Sequence, residues 1–144
     1  MTAMQQYLDF ALHHWELCLA FILILGLLIG LELRLRLSGL AQVTPQEATL
    51  LINREDAVIL DIRDQASFEK GHILNAVNIP AHDIEQRIKQ LDKYRDKPII
   101  IVHNTSQPPG KTGVILQNNG FLIVKNLTGG INAWQNANLP LVKK

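Results

Sequence analysis

The hydrophobic positions of this chain begin with one long uninterrupted run. Residues 17–31 contain no charged or polar side chain, and Trp15 and Leu33 extend the run to about 19 residues. As a helix, this run is about 28 Å long, which matches the hydrocarbon thickness of a bilayer. A domain of this size offers too little protein to surround a helix that is apolar on every side. We therefore predict a transmembrane helix over about 15–33.

Charges beside this run predict its orientation. Arg34 and Arg36 follow it directly, whereas no Lys or Arg precedes it. The positive-inside rule then places the rest of the chain in the cytoplasm. We expect a single-pass protein of the plasma (inner) membrane with a cytoplasmic C-terminal domain. A cleaved signal peptide is the alternative, but the segment before the run lacks basic residues and no small-x-small cleavage site follows it.

Two glycines within the run lie four positions apart, at Gly26 and Gly30. Small residues at this spacing let a second helix approach closely, which predicts a homodimer through this helix face. Glycine is also common in membrane helices, which favours an unpaired helix over this dimer.

After the run, short apolar segments alternate with helical patterns. We assign 1–37 to an N-terminal segment, 38–42 to a linker and 43–144 to a globular domain. Thr44, Pro45 and Glu47 form a capping-box pattern that starts the first helix of this domain. The predicted helices cover 45–53, 83–94, 110–119 and the segment from Gly129 to before Pro140, and the predicted strands cover 57–61, 76–79, 99–102 and 121–127.

The predicted strands are apolar at almost every position, which is typical of a parallel sheet covered on both faces. We therefore predict an α/β fold with a central parallel sheet and helices on both sides. Such sheets bind ligands beyond the carboxyl ends of their strands. The loop after the strand at 99–102 is thus the expected functional site.

Composition narrows the classes of function. The net charge is only +1, so we expect no nucleic-acid partner. The single cysteine, Cys18, excludes an internal disulfide and a Cys-rich zinc site. Neighbouring His13 and His14 point about 100° apart on a helix, and no further ligand completes a set. We predict no metal and no cofactor.

Two stretches of the globular part resemble the single-domain rhodanese family. Residues 61–63 read Asp-Ile-Arg and 71–80 read Gly-His-Ile-Leu-Asn-Ala-Val-Asn-Ile-Pro, similar to the family pattern D-x-R, then G-H-I-x-x-A-x-x-I-P. Residues 127–134 read Leu-Thr-Gly-Gly-Ile-Asn-Ala-Trp, similar to the family ending L-x-G-G-x-x-x-W. The resemblance implies a three-layer rhodanese-like fold. It also implies that Asp61 and Arg63 support the active-site loop through an Arg–carboxylate contact.

The catalytic cysteine of this family has no counterpart in the chain. Counting forward from Pro98 in the family pattern P-x-x-x-x-C and backward from Gly120-Phe121 gives His103 at the cysteine position. The residues in place of the family's persulfide-binding loop are Asn104, Thr105, Ser106, Gln107 and Pro108.

Sulfur transfer in the family needs a thiolate that accepts a sulfane sulfur as a persulfide. Imidazole does not carry that sulfur, and Cys18 lies within the apolar run. We therefore expect a pseudoenzyme: a protein-interaction or regulatory module that contacts the bilayer through 15–33 and a protein partner at the membrane.

Two alternatives remain open. One is a sulfurtransferase or anion-transfer enzyme that uses a non-standard residue or a partner's thiol. His103 would be the candidate, because an imidazole at the end of a strand is placed to act as a base or nucleophile. The adjacent loop holds no Asp or Glu to orient it, which favours a spectator histidine. The other is a structural dimer through Gly26 and Gly30.

Overall fold

The computed structural model describes residues 3–104 and 109–144, with the side chains of residues 8, 11 and 32–38 outside the described set. Thr105, Ser106, Gln107 and Pro108 of the predicted active-site loop therefore lie outside the described residues. The same holds for the side chains of Leu33, Arg34 and Arg36, on which the predicted span and orientation depend. The chain divides into an N-terminal unit, Met1–Gly39, and a C-terminal unit, Leu40–Lys144.

The N-terminal unit consists of two helices, α1 (Ala3–His13) and α2 (Trp15–Ser38). The large apolar side chains of α2 between Leu17 and Leu31 are 44–71% exposed. Over the part of the chain that the structure describes, no helix has both the length and the apolar character needed to cross a membrane. The transmembrane helix over 15–33 stays a prediction.

The C-terminal unit is built on one parallel sheet of five strands in the order β1-β5-β4-β2-β3. This architecture confirms the predicted α/β fold. The strands are β1 (Ala41–Val43), β2 (Val58–Asp61), β3 (Val77–Asn78), β4 (Ile99–Val102) and β5 (Val124–Leu127). The helices are α3 (Pro45–Glu55), α4 (Gln65–Lys70), α5 (Ile84–Arg87), α6 (Gly110–Asn118) and α7 (Gly130–Asn136), and 3-10 turns at Ala81–Asp83 and Ile88–Tyr94 flank α5.

Hydrophobic cores lie on both faces of the sheet. Ile99 and Ile101 of β4 pack with residues of α5 and α6 on one face. Ile100 and Val102, which alternate with them, pack with residues of α3 and α7 on the other face. All four β4 residues are fully buried. Their unbroken hydrophobicity therefore reflects burial on two sides, and the structure has three layers.

The capping box predicted at the start of α3 is confirmed. The Glu47 N–H donates to Thr44 Oγ1 at 3.2 Å, and the Thr44 N–H donates to Glu47 Oε2 at 2.8 Å. The hydrogen bond from the Thr44 backbone lowers the pKa of Glu47 below its ordinary value. Because the folded pKa is lowered, the stability from this bond is present above the ordinary pKa and is lost as pH falls through the folded value.

Several elements differ from the predicted boundaries. Residues 41 and 42, assigned to the linker 38–42, lie in β1 and pair with Lys125 and Asn126 of β5. The predicted strand at 121–127 begins only at Val124, because Phe121 turns into the core before the ladder starts. The predicted helix at 83–94 is regular only within α5 and continues as a 3-10 segment. The short α4 was not predicted.

Candidate functional site

The site lies at the carboxyl ends of β2 and β4, which are neighbours in the sheet. Asp61 ends β2 and pairs with Val102, which ends β4. His103 directly follows β4, and Arg63 follows β2 after one residue, Ile62. The fold therefore brings Asp61, Arg63 and His103 to one edge, where parallel sheets commonly bind ligands.

Asp61 and Arg63 form a buried, bidentate ion pair. Arg63 Nε donates to Asp61 Oδ1 at 2.9 Å, and Nη2 donates to Oδ2 at 2.7 Å. Nη2 also donates to the Gly71 carbonyl at 2.8 Å, which ties β2 to the end of α4. The Asn78 amide donates to the backbone carbonyls of both Asp61 and Arg63. These contacts stabilise the end of β2, and any contact of the pair with residues 105–108 lies outside the described residues.

His103 is buried, and its ring has one hydrogen-bonded and one unpaired nitrogen. Nδ1 lies 2.6 Å from the Asn104 carbonyl oxygen. Because a carbonyl oxygen only accepts, Nδ1 carries the hydrogen, and Nε2 holds a lone pair in the neutral ring. Nε2 is buried and has no hydrogen-bond partner within residues 3–104 and 109–144.

The backbone of His103 is held by the start of α7. The Ile131 N–H donates to the His103 carbonyl at 3.1 Å. Gly130 makes this approach possible, because a Cβ there would overlap the His103 carbonyl oxygen. Gly130 also has a φ of +59°, in the left-handed region that favours glycine. The sequence motif identified Gly129 and Gly130 but gave no signal that they contact His103.

Within residues 3–104 and 109–144, no side chain forms a hydrogen bond with the His103 ring, whose bonded partner is the Asn104 carbonyl. The Asp61 carboxylate is bonded to Arg63 through both of its oxygens. No cluster of three or more His, Cys, Asp or Glu residues that would hold a metal ion occurs among the described residues. Cys18, the one cysteine, lies in α2 of the N-terminal unit.

Comparison with known proteins decides the family. The model of the rhodanese-like domain matches residues 44–137. The chain belongs to the rhodanese-like domain family. The resemblance inferred from the motifs at 61–80 and 127–134 is thereby confirmed.

Similar proteins include relatives of matching length and sulfurtransferases. Uncharacterized protein YibN of Escherichia coli (strain K12) is 34% identical over 141 residues, covering 97% of this chain and 99% of the relative. The thiosulfate sulfurtransferase GlpE of Coxiella burnetii is 32% identical over 96 residues, covering 65% of this chain and 86% of the relative.

Solved structures give the same family relationship. The thiosulfate sulfurtransferase from Pseudomonas aeruginosa superposes with a TM-score of 0.63 at 30% identity, covering 72% of this chain and 20% of that one. The polysulfide-sulfur transferase homodimer of Wolinella succinogenes has a TM-score of 0.63 at 20% identity and shows the shared fold alone. The rhodanese-like fold and sulfurtransferase-type relatives are therefore established for this chain.

Proposed function

We propose that this protein is a membrane-anchored rhodanese-like protein that does not transfer sulfur and binds a protein partner at the inner face of the membrane. One observation carries the proposal: residues 40–144 contain no cysteine. At the end of β4, the position that the family uses for its thiol, the chain has the buried His103.

The chemistry of sulfur transfer explains why this substitution matters. A thiolate attacks the sulfane sulfur of the donor and keeps it as a persulfide until an acceptor removes it. A histidine side chain has no sulfur atom with which to form the sulfur–sulfur bond of a persulfide. The helix that follows the loop is also preceded by Pro109, which lacks an N–H to donate to an anion. The site therefore keeps the family's fold without its nucleophile.

Incubation with a sulfane donor tests the loss of sulfur transfer. We expect purified full-length protein carrying Cys18→Ser to show no thiosulfate:cyanide sulfurtransferase turnover and no persulfide by mass spectrometry. The matched control is the double variant Cys18→Ser/His103→Cys treated with polysulfide, in which the peptide that contains position 103 should gain sulfur. Turnover that survives Cys18→Ser alone would overturn the proposal.

A second candidate function has one observation in its favour: His103 Nε2 has no hydrogen-bond partner among the described residues. A histidine nitrogen in this state is able to act as a base or to accept a transferred group. The assay above separates the two functions. Turnover in the Cys18→Ser protein that disappears in Cys18→Ser/His103→Asn would establish an enzyme that uses His103.

The membrane anchor is part of the proposal and rests on α2. Its apolar side chains from Leu17 to Leu31 are exposed to the surroundings of the N-terminal unit, and burying them in hydrocarbon is strongly favourable. Apart from the backbone of α2 and the adjacent residues, no described atom lies within 4 Å of a Cβ built on Gly26 or Gly30. This open space supports, as a further part of the proposal, the approach of a second copy along that face.

Alkaline carbonate extraction of bacterial membranes tests the anchor. We expect the full-length protein to stay in the membrane pellet, and a protein lacking residues 1–39 to appear in the supernatant. Protease added to inside-out inner-membrane vesicles should digest the C-terminal unit, whereas protease added to spheroplasts should not. Release of the full-length protein by carbonate would refute the anchor.

A further inference from the structure

We propose that α1 lies flat in the outer headgroup region of the bilayer with its apolar face against the lipid acyl chains. This inference rests on the proposed anchor, because it extends the membrane contact from α2 to the helix before it. It gives the N-terminal unit a second membrane element, one that lies on the bilayer instead of crossing it.

The first support is the distribution of side chains around α1. At about 100° per residue, all four polar positions fall within an arc of about 100°. Apolar positions occupy the rest of the circumference, which is the pattern of a helix that binds an interface. The polar positions are Gln5, Gln6, Asp9 and His13, and the large apolar positions with described side chains are Met4, Tyr7, Phe10 and Leu12.

The second support is that this apolar face is uncovered in the protein. Met4, Tyr7, Phe10 and Leu12 are all more than half exposed. Phe10 makes a tilted ring contact with His14, 4.9 Å between centroids. Met4, Tyr7 and Leu12 are therefore open to whatever surrounds the N-terminal unit.

The third support is the position of α1 along the chain. Only His14 separates α1 from α2, so the end of α1, a helix about 16 Å long, adjoins the start of α2. His14 departs from helical geometry, with φ −124° and ψ 37°. Its carbonyl accepts from the N–H groups of Leu17 and Cys18, which start a new helix. If α2 spans the bilayer from Trp15 inward, the end of α1 therefore lies at the outer surface, within reach of the headgroups.

The chemistry of α1 fits lipid more closely than a charged partner. The helix carries Asp9 as its one acid and has no Lys or Arg. Adsorption would therefore come from buried apolar area and not from attraction to anionic headgroups. Tyr7 in α1 and Trp15 at the start of α2 carry amphipathic rings that favour headgroup depth. The expected surface is zwitterionic lipid, and binding should not require anionic lipid.

Site-directed fluorescence on the full-length protein tests this orientation. In the Cys18→Ser background, single cysteines replace apolar-face residues (Met4→Cys or Tyr7→Cys) or polar-face residues (Gln6→Cys or Asp9→Cys). Each variant is labelled with the environment-sensitive dye NBD and reconstituted into phosphatidylcholine vesicles. We expect blue-shifted emission at the apolar positions, and quenching by acyl-chain-brominated lipid about twofold or more stronger than at the polar positions. Replacing a fifth of the lipid with phosphatidylglycerol should leave this difference unchanged.

Three outcomes would overturn the inference. Equal quenching on both faces would show a buried or transmembrane α1, and equal water exposure on both faces would show a helix that does not bind the bilayer. Disulfide formation between copies at Tyr7→Cys without quenching would show that a second copy covers the face. Carbonate extraction of the same variants keeps these failures distinct from failure of the anchor, because an anchored protein stays in the pellet in every case.

Discussion

Replacing Arg63 with methionine should lower the free energy of unfolding of the C-terminal unit by about 3–5 kcal/mol. The substitution leaves the Asp61 carboxylate buried and without its guanidinium partner, since only 1% of that side chain is exposed. It also removes the hydrogen bond from Nη2 to the Gly71 carbonyl, which joins β2 to the end of α4. Equilibrium urea unfolding of the full-length protein in non-ionic detergent, followed by circular dichroism, measures the effect.

Arg87→Met is the matched control. Arg87 Nη1 lies 3.8 Å from Asp83 Oδ2, and both side chains are about a third or more exposed. A solvated pair of this kind contributes about 0–1 kcal/mol. The double variant Asp61→Asn/Arg63→Met should recover part of the stability lost in Arg63→Met, because it removes the unpaired charge. Equal stability of Arg63→Met and Arg87→Met would contradict the buried ion pair.

Gly130→Ala should lower the free energy of unfolding by about 2–5 kcal/mol. The alanine Cβ would overlap the His103 carbonyl oxygen, so α7 or the end of β4 must move. A φ of +59° also places an L-residue in the unfavourable left-handed region. The same urea unfolding experiment measures the loss.

Gly110→Ala provides the comparison for this prediction. Among the described residues, and apart from its own helix backbone and chain neighbours, a Cβ on Gly110 meets no atom within 4 Å, and alanine is a better helix former than glycine at the start of α6. Its stability should lie within about 0.5 kcal/mol of the parent or above it. If Gly130→Ala unfolded at the same urea concentration as the parent, the close approach of α7 to His103 would be disproved.

These two predictions concern contacts that sequence patterns left unresolved. The motif at 61–63 indicated an Arg–carboxylate contact. In the structure this contact joins Arg63 to Asp61. Its further partners, Gly71 and Asn78, come from α4 and β3. Their identity depends on how the chain returns to the end of β2, and no local pattern encodes that path.

His103 illustrates the same division. Counting from Pro98 and from Gly120 placed it directly after β4, where the structure has it. The sequence did not indicate the hydrogen bond from Ile131, or that Nε2 is buried without a partner among the described residues. These features depend on the packing of α7 against the end of β4, between residues nearly thirty positions apart.

The sequence by itself determined the elements with strong local signals. Continuous hydrophobicity in β4 required burial on two faces, and the capping box at Thr44 fixed the start of α3. The motifs at 61–80 and 127–134 determined the family. Because Cys18 is the one cysteine, the sequence also determined that the site has no thiol of its own. Only the tertiary structure decided β1 and the surroundings of Arg63 and His103. The Ala-Gln segment of β1 has no strand signal of its own and is ordered by hydrogen bonds from β5, more than eighty residues away. Local chemistry therefore specified which elements form, whereas hydrogen bonds between distant segments specified the site.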